Sequence, residues 1–458
     1  MGFSHLGLIL GVPHLSGGEL PAFYVTPTGD DITGDGSAAA PWATIDHAID
    51  NVPDVACNIW VAEGTYPENT DGGNYLRPDR VFADWVTVRA MPGASVTITD
   101  NGSGTLCLRL DGTQKLRFRG VTIEQAGANS SATVQVENDT DVELIDCDIP
   151  SRNIGIYSAP SNSSVRIYCK NTTFHPRAGS TSNVRSVWIR AGANSDVDVV
   201  LVDCTAESLS ANNTYNGTYF ETTSVSADLD VYLSGGDYTD VLGTAIRQYG
   251  GSLIAVNVAA ESDEMRAITV GVDGGATYNT TGAIVGGTFT SQSGHGAAWE
   301  YSATGTMSGA TVHGGNFGLV LKEVDGVDVD DCALYGGTDK AVYFKGARNA
   351  GVTNSTLHAT AGSCVLAGYN NITGTNCANL TFTDNLCVPT GTLVDVFSWA
   401  DTDEGGSVCD RNTYVLSGTT GDLGNVYGTD NISNLSELQA AWAAYDVPTN
   451  DANSEVVT

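Results

Sequence analysis

The sequence predicts an all-β chain wound as a right-handed parallel β-helix, a solenoid of about eleven to thirteen coils with a short helix near each end. Three observations predict it: a repeating pair of strand-like runs, no helical pattern between the runs, and helix signals only near the ends. From about residue 105 onward a short β-rich run, a Gly/Asn/Asp turn and a second β-rich run return at roughly 21 to 33 residue intervals. First runs include LRFRGVTIE (116–124), VELIDCDI (142–149), VDVVLVDCTAE (197–207), VDVDDCALYGG (327–337) and LTFTDNLCV (380–388). Second runs include NIGIYS, SVWIRAG, GTYFETT, FGLVLKE and KAVYFKG, and eleven such pairs are found.

Each run is short, alternates apolar with polar residues and is rich in Val, Ile and Thr, which suits a half-buried strand. Without helices between them, the runs can pair only by stacking in register on consecutive coils, each coil burying its inward side chains against its neighbours. One repeat fits one turn of a three-sided solenoid.

The open ends of such a stack need covering. In PWATIDHAIDNV, Trp42, Ile45, Ile49 and Val52 form one apolar stripe between Pro41 and Pro53, which predicts a helix over 42–52. In NLSELQAAWAAY, Leu435, Leu438, Trp442 and Tyr445 repeat the design, and Asn434 with Glu437 resembles a capping box. The chain therefore divides into a lead or anchor segment (1–22), a cap with the first coils (23–104), the β-helix (105–430) and a C-terminal helix with tail (431–458).

Composition narrows the function. Asp and Glu outnumber Lys and Arg 53 to 20, a formal net charge of −33, which opposes binding to nucleic acid or to an acidic bilayer. LGLILG (6–11) lacks a preceding Lys or Arg and is too short for a signal peptide, and no stretch is long enough to span a membrane. Neither a secretory signal nor membrane insertion is expected. The ten Cys form no CxxC pair; Cys147, Cys204 and Cys332 recur in like contexts (IDCDI, VDCTA, DDCAL), the mark of a small core residue repeated on successive coils. Reduced core thiols are expected.

The stretch YVTPTGDDITGDGSAAAPWATIDHAID (24–50), followed by IWVAEGTYPE (59–68), resembles the opening of the pectate-lyase-like right-handed β-helix superfamily, and NLSELQAAW…NDANSEVV (434–457) resembles the end of many such domains. The resemblance covers nearly the whole chain. It implies a protein of the polysaccharide lyase, polygalacturonase, epimerase or viral tailspike kind, and it leaves the chemistry open.

Any chemistry must then come from outward positions on one side of the coil. Taking Val187/Ile189, Leu319/Leu321 and Val342/Phe344 as inward, the outward set is Gln135, Tyr157, Trp188, Arg190, Arg247, Glu300, Lys322, Tyr343 and Lys345. Flat aromatic faces mixed with charged hydrogen-bonding groups are what a sugar polymer requires, so Tyr157, Trp188, Arg190, Arg247, Lys322, Tyr343 and Lys345 are the candidate substrate-binding residues. Glycoside hydrolysis would need two carboxyl groups, and Glu300 with Glu323 on the next coil is the candidate pair; Glu221, Glu261, Asp263 and Glu264 lie on earlier coils. Lyase chemistry would need a base such as Arg247, Arg266, Lys322 or Lys345, but the acidic-cluster-plus-Arg motif of the family's lyases is not matched. No cofactor is expected; Ca²⁺ at DGVDVDD (325–331) is the one candidate, although alternating Asp on a strand is more often a solvated face and the spacing is not that of an EF-hand loop. His175, His295, His313 and His358 are read as surface residues of turns or loops.

The expectation is a virion protein of a bacterial virus, of tailspike or receptor-binding type, made in the host cytoplasm and carried on the extracellular particle. It would form a homotrimer, meet other virion proteins through the N-terminal segment and bind a host surface polysaccharide along one lateral face. A polysaccharide-degrading hydrolase or lyase, and a purely structural spike or decoration protein, are the alternatives.

Overall fold

In a computed structural model, the structure describes residues 20–458 apart from 69–74, 79, 103–105, 113–114, 128–131, 178–183, 210–215, 272–278, 369–375, 390–393, 401–406, 416–422, 427–428, 433, 445–448, 451–452 and 458. The lead segment up to residue 19 and the side chains of Trp442 and Tyr445 lie outside the described residues.

The alternation of each run places strands in three sheets of 16, 15 and 14 strands among the described residues. In every sheet the strands stack in chain order, each paired in parallel with its equivalent on the next coil. One antiparallel pair, Gly424–Val426 with Thr429–Ile432, departs from this near the C-terminal end. The eleven paired runs form the central coils, and shorter strands from Ala22–Val25 to Val96–Asp100 and from Val408–Asp410 onward lengthen the stack at its two ends.

The corner between the first and second sheets shows how sequence sets shape. There Asp146, Asn171, Asp203, Asn257, Asp331, Asn354 and Asp384 adopt φ between +48° and +58° on successive or nearby coils. Asn and Asp tolerate the left-handed region better than other non-glycine residues, so the chain turns sharply at each one. The next residue points into the coil and is small at five of the seven corners: Cys147, Thr172, Cys204, Cys332 and Ser355 are all buried, as are Val258 and Asn385 at the other two, and the Thr172 hydroxyl donates to the Leu144 carbonyl at 2.9 Å. This is the physical content of the recurring Asp-Cys pairs. All ten cysteines are buried and none is in a disulfide, and burial pushes the Cys147 thiol up to about 12 and that of Cys332 up to about 11.

A continuous apolar core runs the length of the coil, with Phe118, Phe174, Phe220, Phe289, Trp299, Phe344 and Phe382 fully buried in it. Helix α1 (Ile45–Asn51) packs Ile45, Ala48 and Ile49 into its N-terminal end. It begins three residues later than the stripe predicts, because Trp42 is drawn into a bridge with Val25 and stacks on Phe23 at 5.7 Å. Thr44 caps it by accepting from the His47 amide at 3.2 Å, and the buried Glu68 accepts from the Ile45 amide at 3.0 Å. Helix α2 (Leu435–Ala444) is capped by Asn434, whose Oδ1 accepts from the Glu437 amide at 3.0 Å, and it buries Leu438. Among the described residues no helix is long and apolar enough to cross a membrane.

Candidate functional site

Register turns the third sheet's second-run residues into two outward ladders. One reads Arg109, Gln135, Tyr157, Trp188, Tyr219, Arg247, Thr269, Ala298, Val320 and Tyr343, each paired with the next across adjacent strands. The other, two residues further along each strand, carries Arg190, Glu221, Tyr249, Gly271, Glu300, Lys322 and Lys345. Every residue of the expected outward set therefore falls on one lateral face.

Two charged centres form on that face. The first is built on Glu221, whose side chain is 14% exposed. Its carboxylate meets Arg190 Nε at 2.5 Å, accepts from Trp188 Nε1 at 3.1 Å and accepts from the Tyr219 hydroxyl at 3.0 Å. Around it the guanidinium of Arg185 lies 4.1 Å from the Trp188 ring centre, and Tyr157 meets Trp188 edge-on at 5.2 Å. Burial, and then the Glu221 carboxylate, holds the Tyr219 phenol well above its ordinary value, so it stays a donor. The indole and phenol edges are thus fixed by one acid, the Arg185 guanidinium lies over the indole ring, and both residues stay partly exposed.

The second centre is Glu300, 1% exposed, whose Oε2 accepts from Arg266 Nη1 at 2.7 Å. Its predecessor on the ladder is Gly271, at φ +122°, where an added Cβ would fall 1.9 Å from the Glu300 carbonyl oxygen. Beside it His295 is held neutral: burial, then Arg266 and Lys322, lowers its value to about 3. His295 also meets Phe317 edge-on at 5.0 Å.

Several sequence readings change. The Glu300 ladder partner is Lys322, so Glu323 lies one residue beyond, in a turn at φ +52° and opposite Tyr301; a one-residue offset separates the two carboxylates into different positions of the coil. The four histidines are on strands rather than in turns: His175, His313 and His358 occupy the outward half of the alternation, whereas His295 opens its strand on the parity of the inward Trp299 and is largely buried. Asp328 and Asp330 project from the first sheet, where Asp330 accepts from Thr353 and Asn354 at 2.7 Å. Among the described residues no three His, Cys, Asp or Glu side chains are grouped to hold a metal. Sequence reasoning missed Tyr219, Arg185 and Phe317, which aligning each second run on its inward residue would have placed beside Trp188, Arg247 and Tyr343.

The distribution of cations is the most informative feature. Beyond residue 180 the chain has nine Lys or Arg: Arg185, Arg190, Arg247, Arg266, Lys322, Lys340, Lys345, Arg348 and Arg411. The first seven of these lie in or at the edge of the third sheet, over seven successive strands spanning roughly 30 Å at about 4.8 Å per coil.

A family model described as "right handed beta helix region" matches residues 264–402. The chain folds as a right-handed parallel β-helix. Solved structures similar to this β-helix include the periplasmic alginate epimerase AlgG, with 10% identity, TM-score 0.41, and 79% of this chain and 78% of that one covered. The Dettilon tailspike protein (gp208) is similar with 11% identity and TM-score 0.37 over 94% and 68% of the two chains. The pectate lyase Pel9A is similar with 14% identity and TM-score 0.34 over 87% and 80%. No curated protein matches the chain.

Proposed function

We propose that this β-helix binds a polysaccharide along the outward face of its third sheet, and that it does so as a tailspike-type receptor-binding protein of a bacterial virus. The observation that carries the binding half is the co-location of Tyr157, Trp188, Tyr219 and Tyr343 with Arg190, Arg247, Lys322 and Lys345 on one lateral face, with three more of the nine cations beyond residue 180 at the edge of the same sheet. A sugar chain is apolar on its ring faces and polar at its rim, so it calls for such alternation of rings and hydrogen-bonding heads. A solenoid supplies these groups at a constant step, and one pyranose advances a glycan about as far as one coil.

The viral half is supported by the thiols. Ten buried cysteines outside any disulfide suit a chain that folds in a reducing compartment, which a virion protein does before lysis releases the particle. Immuno-electron microscopy of particles and the native mass of the protein test the virion location and the proposed homotrimer. The binding half is tested by retention on immobilised cell-surface polysaccharide: Trp188→Ala is expected to weaken retention at least about tenfold, and unchanged retention would sink it.

A second reading, cleavage of the bound chain, draws on Glu300. This buried carboxyl, held by Arg266 next to neutral His295, has the environment of a catalytic group. A hydrolytic partner would have to come from elsewhere than Glu221, which lies three coils away, roughly 14 Å and beyond the reach of an inverting pair. Release of new reducing ends, or of unsaturated sugars, lost in Glu300→Gln, is the result this reading expects.

A further inference from the structure

We infer that Lys322 and Lys345 form a subsite for an anionic sugar residue, which rests on the polysaccharide-binding reading above and names the chemistry of its ligand. The two lysines sit directly opposite each other on adjacent strands of the third sheet, about 4.8 Å apart at the backbone. Like charges so placed repel and destabilise a sheet. Neither ammonium has an ion-pair partner among the described residues. Scarcity of acid is not the reason, since the chain has 53 Asp and Glu against 20 Lys and Arg. The nearest carboxylate in the same ladder, Glu300 on the preceding coil, is buried and already engaged by Arg266.

The surroundings select a sugar over a bare anion. The Lys322 ammonium lies 4.3 Å from the centre of the Tyr301 ring, and that of Lys345 lies 6.0 Å from the centre of Tyr343. Phe317 stacks on Tyr343 at 5.4 Å, so flat apolar surface adjoins the paired charges. A pyranose laid against these rings would direct an acidic substituent between the two ammonium groups, relieving their repulsion on binding. A carboxylate and a sulfate ester share the required chemistry.

The test is an immobilised panel of polygalacturonate, hyaluronate and polysialate for carboxylates, dextran sulfate for sulfate, and dextran and galactan as neutral polymers. It is run on the full chain and on Lys322→Ala, Lys345→Ala and the control Arg119→Ala, an exposed cation of the first sheet. At least one anionic polymer is expected to bind, more weakly as salt rises, with each lysine variant losing about tenfold or more and the control losing nothing. Which anionic polymer binds separates carboxylate from sulfate. The thermal midpoint of each lysine variant without polymer is expected to be unchanged or higher, because a repulsion has been removed; a lowered midpoint would contradict the proposed unpaired charges. Binding confined to neutral polymers, or anionic binding indifferent to both lysines, overturns the inference and leaves the polysaccharide reading standing. Failure of every polymer to bind overturns both.

Discussion

The second and third sheets are wound from the same coils, yet their outer faces carry opposite chemistry. In the nine second-sheet strands from Thr173–Pro176 to Leu386–Pro389 there is no Lys or Arg. Their outward ladder reads Glu207, Thr239, Glu261, Thr290, His313, Tyr335 and His358, ending in a stack with ring centres 4.2 and 4.5 Å apart. These rings cover one another's faces, so their stacking serves the sheet. On the third sheet the rings of Trp188 and Tyr219 are held at their polar edges by Glu221, and cations flank them. The difference teaches that a solenoid's backbone is indifferent to ligand, and that the chemistry of a lateral face is set by which side chains stand on its outward ladder.

Acid should separate the two faces most strongly. His295 titrates near 3 when folded and near 6.5 when unfolded, so the unfolded chain binds the proton first. Its contribution is fully present above about pH 6.5 and is lost as pH falls toward about 3. Relative to His295→Gln, the wild type is expected to lose about 3 kcal/mol between pH 7 and pH 4, read from denaturant midpoints at each pH. Burial also lowers His313, and burial together with His313 lowers His358, so the second face responds with the same sign.

A smaller effect is expected from removing the organising acid. Glu221→Ala leaves Arg190, Trp188 and Tyr219 without their common acceptor and should cost about 2 kcal/mol as well as polysaccharide binding. The matched change on the second face, Glu261→Ala, removes one exposed contact from Gln292 at 3.3 Å and should stay within about 0.5 kcal/mol. Between the two, Tyr335→Ala breaks the ring stack and should cost about 1 kcal/mol without affecting binding. Equal costs at Glu221 and Glu261, measured by urea unfolding, would dissolve the distinction between the faces.

The solenoid was legible because its rule is local. Alternating β-branched residues, an Asn or Asp at each sharp corner and a small residue after it repeat until the stack is unmistakable, and the capping of α2 by Asn434 could be read directly. The outward face was legible in outline for the same reason, since Trp188, Arg190, Arg247, Glu300 and Lys322 follow from alternation alone. Two things were not. The register of one strand against the next decides that Lys322 rather than Glu323 stands opposite Glu300, and a short run does not encode that register. Burial on the outward side was hidden as well: Thr269 and Ala298 are fully buried although they point away from the core, and that depends on the whole coil.

The central claim is that polysaccharide lies along the third sheet's outer face. Charge reversal on each face tests it most directly, with Arg247→Glu on the third sheet and Glu261→Lys on the second, both assayed for retention on immobilised cell-surface polysaccharide. The account predicts that Arg247→Glu abolishes retention and Glu261→Lys leaves it intact; loss only in Glu261→Lys, or in neither variant, would contradict it.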